Sequence, residues 1–219
     1  MFQDREDAGR RLALRLARYR AENPLVVAIP RGGVVVGYEI AHALEAPLHV
    51  IAVRKLGAPG NPEYGIGAIG PDGVGILDRD AITDLQISAA ELEQIIAAQK
   101  AEMERRSHLF RGNMGLPDVQ NRTVILVDDG LATGVTAMAA IEALRRRLPK
   151  RIVLAVPVAG AKTAAAFRLE VDDLICLQTP DHLDAVGHWY QNFDQVSDQE
   201  ALAWLEQAQA EKNALAAAS

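Results

Sequence analysis

The sequence predicts an α/β fold in which a parallel sheet of about five strands is flanked by helices. The strands are expected at short apolar runs of the kind that is buried on both faces of a sheet. These runs are Leu25–Ile29, Leu48–Val53, Val124–Val127, Ile152–Val156 and Leu174–Leu177. Two of them lead through a glycine-rich turn into an apolar helix. Because open α/β sheets bind ligands at the carboxyl ends of their strands, functional residues are expected in these turns.

The composition fits one globular domain over residues 1–219. Apolar residues make up 49% of the chain and charged residues 24%, which are ordinary shares for a soluble protein. The net charge of −6 gives no support to a nucleic-acid partner. We find no signal peptide after Met1 and no apolar run of about 18 residues, so no membrane contact is expected. Cys176 stands alone, which excludes an internal disulfide and favours a cytoplasmic location.

The first helix is expected from Asp4 to Tyr19, with Asp4 as its N-terminal cap. The first strand follows, and it runs into Pro30-Arg31-Gly32-Gly33 and a helix over Val34–Leu44. Free amides at the start of a helix attract anions, so this turn is a candidate anion site.

A dinucleotide-binding fold is the alternative for this turn. Its glycines, Gly32, Gly33 and Gly37, do not give the G-x-G-x-x-G spacing. The next strand is expected to end in Arg54-Lys55, where a dinucleotide fold needs an acid for the ribose. Two cations there suit a ligand with several negative charges, and Lys55 is favoured over Arg54 because neighbours on a strand face opposite ways.

An insertion is expected over residues 56–111. Its first part, Leu56–Gly67, is rich in glycine and proline and is expected to be a mobile loop. A hairpin of Ile66–Ile69 and Val74–Leu77 follows. The long helix Ser88–His108 then begins with the capping box formed by Ser88 and Glu91.

The central motif is the strand Val124–Val127 with the residues that follow it. Asp128 and Asp129 come directly after the strand, then the loop Gly130–Gly134, and then an apolar helix over Ala137–Leu148. The loop amides and the start of the helix make a candidate phosphate cradle beside two acidic acceptors. Such a pairing suits a phosphorylated sugar, with hydroxyls on the carboxylates and phosphate in the loop.

The C-terminal part of the chain adds two strands and a short helix at Lys162–Leu169, followed by residues 178–196. A final helix is expected from Ser197 or Asp198 to about Ala210.

The run Val124–Thr136 resembles the binding motif for 5-phosphoribosyl 1-pyrophosphate (PRPP) of type I phosphoribosyltransferases. The resemblance implies the type I phosphoribosyltransferase fold, with Asp128 and Asp129 holding the ribose hydroxyls. It also implies a 5-phosphate site formed by Gly130, Leu131, Ala132, Thr133, Gly134 and Thr136.

The same resemblance assigns roles elsewhere in the chain. It implies that Arg31, Gly32, Gly33 and Lys55 contact pyrophosphate, and that the loop after Lys55 closes over the reacting sugar. It also implies that residues 178–196 form a hood over the site. This hood is similar to that of the 6-oxopurine enzymes, which implies base contacts from Lys162, Val186, Gly187, Trp189 and Tyr190. Packing of the hood onto the core is the alternative role for its aromatic residues. A magnesium ion is implied as cofactor, held by PRPP oxygens rather than directly by the protein, and a homodimer is expected.

The identity of the acceptor base stays open at this point. The 6-oxopurine enzymes have an aspartate before the loop threonine, whereas this chain has Ala132, as in the adenine enzymes. The motifs together also resemble a group of bacterial phosphoribosyltransferases, known from sequence, that have no assigned base.

The hypothesis is therefore transfer of phosphoribose from PRPP to a nitrogenous base, with a purine-like acceptor favoured. Two other classes compete with it: a PRPP-binding regulator without turnover, and a hydrolase or phosphatase that uses the acid pair on a sugar phosphate.

Overall fold

The computed structural model describes residues 1–73, 75–111 and 116–217. The strands are β1 (Leu25–Ala28), β2 (Leu48–Val50), β3 (Arg54–Ala58), β4 (Asn61–Ile69), β5 (Gly75–Leu77), β6 (Thr123–Val127), β7 (Arg151–Val158) and β8 (Asp173–Gln178). The helices are α1 (Arg5–Leu16), α2 (Gly32–Leu44), α3 (Arg79–Asp84), α4 (Ala89–Arg111), α5 (Val135–Arg145), α6 (Ala161–Glu170) and α7 (Asp198–Ala217). Within these ranges, no helix combines the length and the apolar character that crossing a bilayer requires.

The chain divides into two compact units. The first consists of Met1–Val50, Pro117–Thr133 and Arg147–Ser219. The second consists of Ile51–Leu116 and Gly134–Arg146, so the expected insertion at 56–111 falls inside it.

The first unit contains a parallel sheet of five strands in the order β2-β1-β6-β7-β8. In register, Val27 of β1 lies opposite Leu126 of β6, which lies opposite Leu154 of β7. The predicted sheet is thus confirmed, and each of the five apolar runs supplies one strand. The chain moves outward from β1 to β2 and later returns to the other side of β1 as β6. The strand order therefore reverses between β1 and β6.

The two central strands, β1 and β6, are buried along their whole length. Side chains from α1 and α2, including Leu12, Leu16 and Ile40, join Val26 and Ile125 in one hydrophobic cluster. This packing explains why both runs are apolar at every position instead of alternating.

The beginning and the end of the first unit are joined. Phe2 forms an isolated parallel bridge with Tyr190, and the two rings lie 5.4 Å apart. Helix α7 packs on α2, where the Tyr38 hydroxyl donates to Glu211 at 2.5 Å. This contact lies beyond Ala210, where the helix was expected to end, and it explains why α7 continues to Ala217.

The second unit contains an antiparallel sheet in the order β3-β4-β5, together with α3, α4 and α5. Its core is formed by Leu56 of β3, Ile66 of β4 and Met103 of α4, with neighbouring apolar side chains. Helix α5 contacts all three strands.

Two expectations for this region are wrong. The second strand of the parallel sheet, β2, ends at Val50 rather than Val53, and Arg54-Lys55 begin β3 instead. The segment Leu56–Gly67 is a β3–β4 hairpin rather than an irregular loop. The apolar residues of this segment, Leu56 and Ile66, are both fully buried. Burial of these two side chains stabilises the hairpin despite the low strand preference of its glycines. The strand pairing shifts register on either side of Gly57.

The expected hairpin of Ile66–Ile69 with Leu77 is confirmed as β4–β5, although its residue Val74 lies outside the described ranges. The expected caps are also present. Asp4 accepts the N–H of Asp7 at 2.8 Å, and Ser88 accepts that of Glu91 at 3.3 Å. Helix α3 was not predicted.

Candidate functional site

Two turns lie side by side where the strand order reverses. Ile29, after β1, donates its N–H to the carbonyl oxygen of Val127, at the end of β6, at 2.9 Å. This bond holds the glycine turn next to the acid pair. Of the predicted site residues, Arg31, Gly32, Gly33, Asp128 and Asp129 meet here, in the position where open α/β sheets bind ligands.

The glycine turn approaches the acid pair too closely for any side chain. A Cβ atom on Gly32 would lie 1.9 Å from a carboxylate oxygen of Asp129. A Cβ atom on Gly33 would lie 2.9 Å from the carbonyl oxygen of Val127. Both distances are below contact distance, so glycine is required by space at these positions.

The loop after the acid pair is held by residues of the same unit. Leu131 is buried and donates its N–H to the carbonyl oxygen of Val158 at 2.9 Å. The hydroxyl of Thr163 donates to the carbonyl oxygen of Ala132 at 3.2 Å. The N–H of Leu131 is therefore already used, whereas Ala132 and Thr133 are exposed.

Of the residues expected to form the phosphate cradle, Gly130–Thr133 belong to the first unit. Gly134 and Thr136 belong to the second unit, with Gly134 as the N-cap of α5 in the left-handed conformation (φ 75°).

Arg5 is the main site residue that the sequence interpretation missed. Its Nε donates to a carboxylate oxygen of Asp129 at 2.7 Å, and its Nη1 donates to the carbonyl oxygen of Asp194 at 2.8 Å. The guanidinium also lies over the ring of Phe193, 3.8 Å from its centre. Arg5 is the first residue of α1, where the helix dipole disfavours a cation. That misfit suggests that Arg5 has a partner outside its helix, but it does not point to Asp129.

Burial is the main influence on the pKa values of the two acids. Burial, and next the neighbouring Asp129 charge, raise the pKa of Asp128 well above its ordinary value. Burial also raises the pKa of Asp129, but the Arg5 guanidinium opposes that rise. The Asp128 carboxylate accepts the backbone N–H of Asp129 at 2.9 Å. The pair therefore holds protons more tightly than ordinary aspartates do.

Arg31 has an ionic partner that no motif predicted. Its guanidinium lies 3.7 Å from a carboxylate oxygen of Asp198, at the start of α7. Both side chains are partly exposed, at 25% and 32%. The cation of the glycine turn is thus balanced by an acid from the last helix.

The hood contacts the acid-pair loop directly. The Tyr190 hydroxyl donates to the backbone carbonyl oxygen of Asp129 at 2.7 Å, and burial raises the pKa of this phenol. Its ring packs between Phe2 and Phe193. A Cβ atom on Gly130 would lie 2.5 Å from the Val186 side chain. These contacts favour the packing role for Tyr190.

Three further residues predicted to bind the base differ in their surroundings. A Cβ atom on Gly187 would lie 2.8 Å from the Phe193 ring, so this glycine is also required by space. Trp189 is half-buried and Lys162 is exposed.

In the second unit the basic pair on β3 splits as expected for neighbours on a strand. Lys55 is exposed, while Arg54 donates to the side chain of Gln99 on α4 at 3.0 Å. Burial lowers the pKa of the Arg54 guanidinium. Arg54 therefore belongs to the packing of its own unit.

A metal site built by the protein alone is not found in the described ranges. No three His, Cys, Asp or Glu side chains there are grouped so that they could hold an ion.

The sheet order and the two turns at its reversal point define the type I phosphoribosyltransferase fold. The chain belongs to the phosphoribosyl transferase domain family, whose model matches residues 2–190. A solved structure from Thermus thermophilus, that of the protein TT1426, is 37% identical, with a TM-score of 0.79 over 94% of this chain and 98% of that one. The AQ2163 protein of Aquifex aeolicus, 11% identical with a TM-score of 0.51 over 84% of this chain and 78% of that one, shares the fold.

Among sequence relatives, a Mycobacterium tuberculosis protein named "Putative phosphoribosyl transferase" is 43% identical over 208 residues. The match covers 95% of this chain but 47% of that protein, so the chain spans about half the length of this relative. The uracil phosphoribosyltransferase of Lacticaseibacillus paracasei is 40% identical over 75 residues, 33% of this chain and 35% of that one.

Proposed function

We propose that this protein transfers 5-phosphoribose from PRPP to a nitrogenous base, with release of pyrophosphate. The observation that carries the proposal is the close approach of the Gly32 turn to the Asp129 carboxylate. A Cβ atom on Gly32 would lie only 1.9 Å from a carboxylate oxygen of Asp129. An anion-binding turn and two sugar-binding acids then lie within reach of one small ligand. PRPP has both chemistries on one ribose.

In this proposal Asp128 and Asp129 accept hydrogen bonds from the ribose hydroxyls. Their negative charge then stabilises the cationic sugar that forms as pyrophosphate leaves. The exposed loop residues Ala132 and Thr133 bind the 5-phosphate, with Gly134 and Thr136 as further candidates. Arg31 and the Gly32-Gly33 amides bind pyrophosphate, and Asp198 must release Arg31 for this to happen.

Magnesium is the cofactor proposed for this reaction. The acid pair alone is not a full ligand set, so the ion would be held by PRPP oxygens rather than directly by the protein. When bound, it neutralises charge on the departing pyrophosphate.

A purine-like acceptor is the favoured substrate, on the resemblance of the hood. Ala132 speaks for including adenine among the purines, and the partial similarity to a uracil enzyme speaks for testing pyrimidines as well. A cytoplasmic homodimer likewise stays a prediction.

The experiment has two steps. Calorimetry with PRPP and magnesium tests binding, and pyrophosphate release is then measured across a panel of purines and pyrimidines. Binding together with release on one base is the expected result. Binding without release on any base favours a PRPP-binding regulator, while release of ribose 5-phosphate without a base indicates a hydrolase.

The role of Lys55 is tested by a pair of variants. Lys55→Ala should slow pyrophosphate release with little change in thermal stability, because its side chain is exposed. Arg54→Ala should instead lower stability through its lost contact with Gln99. Equal effects of both variants on release would argue against a specific role for Lys55.

A further inference from the structure

Arg5 contacts three segments of the first unit to which different parts of the ligand are assigned. It donates to the Asp129 carboxylate and to the carbonyl oxygen of Asp194, and it covers the ring of Phe193 in the hood. Its Nε also lies 2.7 Å from where a Gly32 Cβ atom would be. The side chain is 11% exposed, so it is almost enclosed by these groups.

We propose that Arg5 is a positioning residue that fixes the Asp129 carboxylate against the glycine turn and ties it to the hood. This inference rests on the proposed function and adds to it a residue outside every motif. Arg5 acts through Asp129, which then accepts the ribose hydroxyls in a fixed orientation. The amino-terminal helix thereby becomes part of the sugar site.

The charge around Asp129 supports this role. Within the described ranges, the charged and titratable groups that contact the acid pair or shift its pKa are its own two carboxyls, Arg5 from α1 and Tyr190 from the hood. Arg31 forms its ion pair with Asp198, and Tyr190 is a neutral phenol with a raised pKa. Arg5 is therefore the cation that balances the acid pair, and it opposes the rise in the pKa of Asp129 that burial causes.

The geometry specifically requires arginine. One guanidinium donates to Asp129 and to the Asp194 carbonyl at the same time, and its flat face stacks on Phe193. A lysine ammonium supplies the charge but not the planar fork or the stacking. Charge and positioning can therefore be separated by two substitutions at one site.

The test compares Arg5→Gln and Arg5→Lys with Arg15→Gln, which removes the same charge from an exposed position on the same helix. The first measurement is a carbon-13 NMR titration of the aspartate carboxyl groups without any ligand. In Arg5→Gln the titration of the acid pair should move up by about one pH unit or more, because an opposite charge at this distance typically lowers a carboxyl pKa by that amount. Arg15→Gln should leave it unchanged.

The second measurement is the affinity for PRPP and magnesium across pH. In Arg5→Gln the dissociation constant should rise about tenfold at pH 7, and the loss of binding in acid should begin at higher pH. Arg5→Lys should keep the pH midpoint of PRPP binding but still weaken binding about threefold, because an ammonium group lacks the planar pair of donors that the guanidinium uses.

The outcomes separate the two proposals. A wild-type protein that binds no PRPP would refute the proposed function, and the ligand-free titration would still decide the role of Arg5. A folded Arg5→Gln that matches Arg15→Gln in both measurements would overturn the positioning role. If Arg5→Gln does not fold, Arg5→Lys carries the test, and wild-type affinity in that variant would equally overturn it.

Discussion

The two turns at the reversal point of the sheet follow the same local plan but carry opposite charges. The turn after β1 carries Arg31, and the loop after β6 carries Asp128 and Asp129. Each charge meets a partner from one end of the chain, since Arg31 faces Asp198 of α7 and Asp129 faces Arg5 of α1. The Asp129 pair is short and shielded, whereas the Arg31 pair is longer and partly exposed.

The difference teaches which turn is fixed before a ligand arrives. A short, shielded ion pair holds its side chain in one orientation, while a partly exposed pair at 3.7 Å costs less to break. We expect the acid pair to be preorganised and Arg31 to be released on binding. The predictions below test this contrast.

The largest effect is expected for Asp129→Asn. The change removes the negative charge that the proposal places beside the cationic sugar, so turnover should fall at least about 100-fold. The thermal midpoint should change little, because the loss of the ion pair is offset by relief of a buried charge. Steady-state pyrophosphate release and calorimetric melting check both parts, with the exposed Asp84→Asn as control. Turnover close to that of wild type would falsify the assigned role.

Gly32→Ala comes next. Its Cβ atom would meet the Asp129 carboxylate at 1.9 Å, so the carboxylate must move out of the Arg5 contact. PRPP affinity should fall about tenfold or more, as expected when a charge-assisted hydrogen bond is lost. Gly160→Ala is the matched control in the same unit, because a Cβ atom there would have its nearest neighbour at 3.6 Å. Similar affinities of the two variants would mean that the close approach does not matter for binding.

The next effect in size is expected for Asp128→Asn, which should increase the stability of the protein. Burial raises the folded-state pKa of Asp128 above its unfolded value near 3.8, so the charged form is disfavoured in the folded protein. The contribution of Asp128 to stability should therefore decline as pH rises from about 3.8 through its folded pKa, and this decline is complete above it. In that upper range Asp128→Asn should be more stable by about 1–2 kcal/mol, while PRPP binding weakens.

The measurement for Asp128→Asn is urea unfolding of both proteins at pH 4 and pH 7.5. The gain should be present at pH 7.5 and nearly absent at pH 4. A variant that is less stable than wild type at pH 7.5 would show that the pair is not strained by its charge.

The smallest effect is expected for Asp198→Asn. Its partly exposed ion pair with Arg31 should contribute less than about 1 kcal/mol to stability. Because Arg31 is then free to turn toward a ligand, pyrophosphate affinity should rise about twofold, as measured by calorimetry. Glu206→Gln, an exposed acid on the same helix, controls for the change in net charge. A loss of affinity in Asp198→Asn but not in Glu206→Gln would contradict the expectation that Asp198 must release Arg31 before pyrophosphate binds.

The sequence predicted the elements that depend on neighbouring residues. Continuous apolar runs marked β1 and β6 because both faces of these strands are covered, and the glycines marked the turns because close backbone contacts leave no room there. The same local reasoning failed for Leu56–Gly67, where glycine and proline suggested a loop. Burial of Leu56 and Ile66 in the core of the second unit decided that structure, and such packing is not visible in a short window.

The charge partners could not be predicted for a related reason. Arg5 and Asp129 are 124 residues apart, as are many pairs that nothing in the sequence distinguishes from them. The same holds for Tyr190, whose hydroxyl reaches the backbone of Asp129. Motifs therefore located the turns, while the side chains that orient them came from the tertiary structure.

The bridge between Phe2 and the hood has a practical consequence for anyone preparing this protein. Phe2 exchanges backbone hydrogen bonds with Trp189 and Gln191, each at 2.8 Å, only three residues before the arginine that grips the acid pair. Proteolytic loss of residues 1–5 during preparation would remove both contacts at once, because Phe2 and Arg5 both lie in this stretch. Because Phe2 is buried in a hydrophobic cluster with Val158 and Tyr190, such a sample should melt at a lower temperature, and if Arg5 has its proposed role it should also bind PRPP less tightly, so intact-mass spectrometry belongs before every measurement.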